Sequence, residues 1–185
     1  RDSFKEKKFA VEGEEFAMPY NIPYMLYNYA AAVAVCREFG NITVRQCAAA
    51  FGSFKNVGGR YEVLQFEGKT IKYLRIKQEN PETLQTSINI IASDKTPKMV
   101  CIGPGHIPDS VPSYTNTFYM YDCDFSELVK SGVERYLFFT DYVCYDAANR
   151  LIYEGVPTDK MEIIEGENAK DILEAIRKAE TDNVY

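Results

Sequence analysis

Apolar and polar residues alternate in two short runs near the start of the chain, Lys8–Val11 and Glu15–Met18, with Glu12-Gly13 between them. Period-two alternation broken by a two-residue polar turn predicts a β-hairpin. The stretch from Ile22 to Cys36 opens at Pro23 and is apolar nearly all round. That pattern predicts a helix buried on most faces, stopped by Gly40 in the C′ position. Thr43 stands where an N-cap would, ahead of a second short helix to Phe51. Tyr61–Phe66, Glu67-Gly68 and Lys69–Ile76 repeat the hairpin pattern. Asn80-Pro81 opens a helical stretch to Ile91, with Pro81 near the start, where its missing N–H is harmless.

Beyond Asp94 the rhythm becomes strand, loop, helix. Strands are predicted at Lys98–Ile102, Phe118–Tyr121, Arg135–Thr140 and Met161–Glu165, and helices at Phe125–Lys130, Val143–Tyr153 and Ala169–Ala179. A long loop, Gly103–Thr117, carries three Pro and two Gly. Such alternation implies right-handed crossovers. The expected fold from residue 44 onward is therefore α/β, a Rossmann-like and mostly parallel sheet with helices on both faces. The hairpin over residues 60–76 would add an antiparallel edge.

The composition agrees with a folded globular domain: 185 residues, 46% hydrophobic and 26% charged. No apolar run reaches the roughly 18 residues a transmembrane helix needs, and the charged first ten residues lack a signal-peptide core. The chain opens on Arg1, which predicts a trimmed terminus. A net charge of −6 argues against nucleic-acid binding and fits a cytoplasmic protein that handles small molecules or another protein. Five scattered cysteines with no C-x-x-C pair fit neither a disulfide framework nor a zinc ribbon. The single histidine, His106, leaves no Ser-His-Asp or Cys-His site unless it takes part.

In open parallel sheets, ligands bind beyond the carboxyl ends of the strands. Three such ends carry polar chemistry: Gly103–Asp109, Asp122–Asp124 and Thr140–Asp141. Asp122, after Phe118–Tyr121, could orient a base or hold a metal, and the residues alone leave it open between structure and function. Asp124 reads as an N-cap, with Glu127 at the capping-box spacing. Gly103-Pro104-Gly105-His106 reads as a tight turn rather than a phosphate loop, since neither G-x-x-x-x-G-K-[ST] nor G-x-G-x-x-G occurs. Asp146 and Arg150, four apart, read as a surface ion pair, and the 14 tyrosines as core edges rather than a stacking platform. No complete active site can be assembled from these residues.

Taken in order, several stretches resemble the Mur ligase family and its MurT subgroup. Pro23–Ala32 is similar to the Asn-x-x-Asn-x-x-Ala-Ala helix that closes the central ATPase domain. Gly59-Arg60-Tyr61-Glu62, the hairpin and Asn80-Pro81 resemble the start of the C-terminal domain. Tyr119-Met120-Tyr121-Asp122-Cys123-Asp124-Phe125-Ser126-Glu127-Leu128 resembles the subgroup's Trp-Ile-Trp-Asp-x-Asp-Phe-Glu-x-Leu signature. Asp146–Val156 resembles its Asp-x-x-x-Arg-Leu-x-Tyr-Ala-Gly helix.

The resemblance implies a remnant of the central domain over residues 1–42 and the Mur ligase C-terminal domain over 43–185. It implies an ATP-dependent ligase subunit that amidates the D-glutamate of lipid II in peptidoglycan synthesis, using ammonia from a GatD-type glutamine amidotransferase. Asp122 matches the aspartate that completes the partner's Cys–His pair, while Asn80, Arg60 and Lys77 fall near the nucleotide. ATP and Mg would be held mainly by segments outside this chain, so the chain alone is expected to be inactive; no metal ligand is assigned within it. Departures stand at Glu79, Asp141 and Val143, along Gly103–Thr117, and at Tyr119 and Tyr121 in place of the two Trp. These keep two other readings open: a Mur-like amino-acid ligase without an amidotransferase, and a non-catalytic interaction domain.

Overall fold

A hairpin opens the fold: β1 (Lys8–Val11) pairs antiparallel with β2 (Glu14–Ala17). Its turn places Glu12 and Gly13 both at positive φ, the twist that two-residue hairpin loops require. The computed structural model describes residues 6–54, 61–75, 80–104 and 117–185. These divide into two compact units, residues 1–60 and 61–185.

In the first unit the hairpin is followed by helices α1 (Met25–Gly40) and α2 (Val44–Ser53). Only Tyr29 and Val33 of α1 are buried, so the helix covered on most faces that its apolar run predicts is instead largely exposed. Within the unit only one stripe of α1 is covered: Val33 and Cys36 pack with Phe16 and Cys47, and the Tyr29 ring stacks on Phe9. The helix ends one residue beyond expectation, with Gly40 helical and Asn41 taking the left-handed conformation. Thr43 caps α2 as predicted, and Gln46 completes a capping box: Gln46 N–H donates to Thr43 Oγ1 (3.2 Å) and Thr43 N–H to Gln46 Oε1 (2.9 Å). The boundary drawn from the sequence at 42/43 assigns α2 to the second domain, whereas its buried Cys47 shares the core of Phe16 and Val33.

The second unit is a six-stranded sheet in the order β3-β4-β8-β5-β6-β7. The strands are β3 (Tyr61–Phe66), β4 (Lys69–Leu74), β5 (Lys98–Ile102), β6 (Val133–Thr140), β7 (Met161–Glu165) and β8 (Asn183–Val184). Every pairing is parallel except β3 with β4, so the expected mostly parallel sheet with an antiparallel edge hairpin is observed. Helices α3 (Pro81–Ser93), α4 (Phe118–Tyr121), α5 (Ser126–Val129), α6 (Val143–Tyr153) and α7 (Ala169–Lys178) complete it. Alternate strand residues face opposite ways. Val100, Tyr136 and Phe138 join the core under α3 and α6, while Met99, Leu137 and Val184 meet Ala175 and Ile176 of α7. Among the described residues no helix is long and apolar enough to cross a membrane.

In the second unit the structure departs from the sequence reading at two elements. Phe118–Tyr121 is one turn of helix, not a strand. Phe118 and Met120 would share a face in a strand, yet Phe118 is 70% exposed and Met120 1%. The sheet also has no place for it, because β5 is flanked by β6 and β8. Conversely, β8 is absent from the sequence reading. Two residues at the end of the chain carry no periodicity to detect, but they lie between β4 and β5.

Candidate functional site at the carboxyl edge of the sheet

Helix α3 leads into β5, so its first turn lies beside the carboxyl ends of the parallel strands. Asn80 caps it: Asn80 Oδ1 accepts from Glu82 N–H (2.8 Å) and Thr83 N–H (3.2 Å). Pro81 follows at the first helical position. The Cys123 thiol donates to the Pro81 carbonyl (3.3 Å), which brings the segment carrying Asp122 against the segment carrying Asn80. Of the four residues singled out from the sequence, these two therefore sit on adjoining segments. Arg60 and Lys77, and with them His106, lie outside the described residues.

The segment Thr117–Phe125 is anchored from two helices, α6 and α3. Arg150 of α6, itself buried, donates through Nε to the Met120 carbonyl (3.2 Å) and through Nη2 to the Cys123 carbonyl (2.7 Å). Its guanidinium lies 5.7 Å from the Tyr121 ring centre and 5.2 Å from that of Phe125, within cation–π range. Glu154 supplies the counter-charge at 2.7 Å. The pair expected on α6 is thus wrong in its partner: Arg150 is buried and bound to Glu154, while Asp146 accepts from the Thr117 hydroxyl. From α3, the Gln85 side chain holds Asp124 at both backbone groups, accepting from its N–H (2.7 Å) and donating to its carbonyl (3.0 Å). Asp124 Oδ1 takes the Ser126 N–H (2.8 Å). Hydrogen bonds from Ser126 hold the Asp124 carboxyl below its ordinary range, but the N-cap of α5 is Phe125 with no side-chain cap, so the capping box expected at Asp124 does not form. Burial pushes the Cys123 thiol up, which makes it a packing group and not a nucleophile.

Against this frame Asp122 stands apart. It ends the single turn of α4 at φ −84°, ψ −2°, and is exposed. Among the described residues its carboxylate makes no hydrogen bond or ion pair. It lies at the end of a helical turn, not of a strand as its position after Phe118–Tyr121 predicts. Phe118 and Tyr121 of the same turn are exposed beside it.

A cavity of about 800 Å3 opens next to this frame, lined by Ile102, Gly103 and Tyr119 among apolar residues, with Arg75, Ser87 and Glu167 at its polar points. Gly103 is needed there for room: a Cβ would collide with the Phe139 ring. Among the described residues no three His, Cys, Asp or Glu side chains come together as a cation site. The described part therefore offers no donor set for a magnesium ion.

Fifteen chains of solved structures match this one. A folylpolyglutamate synthase from Thermotoga maritima matches with a TM-score of 0.51 and 19% identity over 96% of this chain. At that identity the likeness shows the fold alone, an α/β architecture whose second unit is Rossmann-like. The chain spans 39% of that structure's length. No curated protein matches. A family profile described as MurT ligase C-terminal matches residues 78–185, more than half of the chain. The chain belongs to the MurT ligase C-terminal family, as the ordered motifs indicate. Asn80 and Asp122 fall inside the matched region; Arg60 and Lys77 precede it.

Proposed function

We propose that this chain is part of an ATP-dependent MurT-type ligase that amidates the D-glutamate carboxyl of lipid II, with ammonia released by a GatD-type glutamine amidotransferase. Asp122 is its contribution to the partner's chemistry. One observation carries this reading: an exposed carboxylate, unpartnered among the described residues, stands on a turn held by Arg150 and Gln85. A carboxylate needed only for structure would be bonded within its own domain, as Asp124 and Asp146 are. A carboxylate meant to orient an imidazole across an interface must be rigid, ionised and open to the partner. The exposed aromatic rings of Phe118 and Tyr121 suit such an interface, where aromatic side chains are enriched.

Activation of a carboxyl as an acyl phosphate supplies a leaving group for ammonia, and a closed interface keeps water away from it. ATP and its magnesium belong in this scheme to segments other than the described ones. The sequence holds no G-x-x-x-x-G-K-[ST], and the described residues offer no cation site.

The test is glutamine hydrolysis by the amidotransferase in complex with the full-length ligase. Asp122→Ala and Asp122→Asn are expected to lower kcat by ~10²–10⁴-fold, the usual range for losing an orienting carboxylate. The fold should be unchanged, because Asp122 is exposed. Wild-type hydrolysis in the Asp122→Ala complex would overturn this role.

A further inference from the structure

Arg150 is a charged residue on an amphipathic helix, yet it is buried and aimed at the backbone of another segment. Its two hydrogen bonds go to the carbonyls of Met120 and Cys123. Those residues lie on either side of Asp122, two before it and one after. The Tyr121 and Phe125 rings flank the guanidinium. One planar fork therefore fixes the backbone before Asp122, the backbone after it and two side chains of the same segment. Glu154, one helical turn further along α6, balances the charge, so the fork stays in place without drawing on Asp122.

We propose that Arg150 is a positioning residue that acts through Asp122: its guanidinium sets the direction in which the carboxylate leaves the turn. The proposal rests on the reading of Asp122 given above. A guanidinium suits the task where an ammonium does not. Two carbonyls at different points of a turn need two donors at fixed separation, which Arg supplies and Lys, a point donor, does not. Asp146 and Gln85 hold the Thr117 and Asp124 ends of the segment and the Cys123 thiol reaches Pro81, while Arg150 holds the carbonyls on either side of Asp122. Loss of the fork should loosen the middle while the segment stays docked.

Arg150→Lys in the full-length ligase tests this. Backbone amide exchange at Asp122 and Cys123 should accelerate at least about tenfold, with exchange across β5 and β6 unchanged. Glutamine hydrolysis by the bound amidotransferase should lose at least about tenfold in kcat with KM for glutamine unchanged. In an Asp122→Ala background the same substitution should cause no further loss, since a residue acting through Asp122 has nothing left to position. Unchanged exchange at Asp122 and Cys123, or an equal loss of hydrolysis in both backgrounds, would overturn the proposal. Should Arg150→Lys fail to fold, the wild-type protein decides: Arg150 Nε–H and Nη–H protons must exchange slowly in nitrogen-resolved NMR, and free exchange refutes the fork. If Asp122→Ala alone leaves hydrolysis intact, the function proposed for Asp122 fails, and the exchange arm still judges whether Arg150 holds the turn.

Discussion

Asn80 shows how much one side chain can be asked to do. Its carbonyl oxygen takes two of the orphan N–H groups at the start of α3, so its first measurable role is structural. Asn80→Ala is expected to lower unfolding stability by about 1 kcal/mol, and Asn80→Ser to change it by only a few tenths. Urea denaturation distinguishes the two. Any loss of ATP affinity in the full-length ligase carrying Asn80→Ser would then report a contact with the nucleotide rather than a lost cap. The cap is visible in the sequence because it is local: Asn, then Pro, then a helical run. Arg150 is the opposite case. Its residue type and its place on a helix could be read, but the two carbonyls it binds lie 27 and 30 residues away along the chain. Spacing of four residues offers Asp146 and Glu154 equally, and packing decides that Asp146 meets Thr117 while Arg150 keeps Glu154 and turns to the two carbonyls.

The elements divide in the same manner. Both hairpins were legible because Glu12-Gly13 and Glu67-Gly68 take the positive φ pair that a two-residue loop demands. Helix α6 was legible to the residue, since its apolar positions face one core. Helix α4 was not: four aromatic and apolar residues favour a strand by propensity, and tertiary context overrides so weak a preference. Strand β8 is shorter still, yet it joins the two halves of the sheet. Val184, 1% exposed, packs with Met99, Leu137 and Ile176, and the Tyr185 N–H donates to the Met99 carbonyl (3.0 Å). A buried, unpaired charge there should abolish cooperative unfolding of the second unit. Val184→Asp is expected to lose the thermal transition, while Val63→Asp on edge strand β3, 54% exposed in the native state, retains it. Equal transitions in both variants would show that β8 does not hold the sheet together.

At the scale of the whole molecule, the second unit is closed by groups that are far apart along the chain. Lys72 Nζ donates to Asp94 Oδ2 (3.0 Å) and to Tyr185 Oη (2.6 Å), and Tyr185 Oη donates to Asp94 Oδ2 (2.6 Å). Burial opposes the charge on Asp94, but hydrogen bonds from Thr96, Tyr185 and Lys72 outweigh it and hold the carboxyl well below its usual range. Burial pushes the phenol of Tyr185 up to about 12, and that of Tyr136 likewise to about 12. A phenol whose folded pKa lies above its unfolded value, near 10, contributes stability that is fully present below about pH 10. That contribution is lost as pH rises from about 10 through 12. The denaturant midpoint of the chain should therefore fall across this window. Tyr136→Phe should make the fall shallower, because one of the two phenols is removed. Identical pH profiles for wild type and variant would contradict the assignment.

The sequence by itself determined the class of fold, the two hairpin turns, the cap at Thr43 and the family. Each is written in local spacing or in an ordered set of motifs. Tertiary structure alone decided that α4 is a helical turn, that β8 enters the sheet between β4 and β5, and that Arg150 turns inward to clasp the segment carrying Asp122. Those outcomes depend on which strand neighbours are already taken and which carbonyls a buried guanidinium can reach, quantities set by residues distant along the chain.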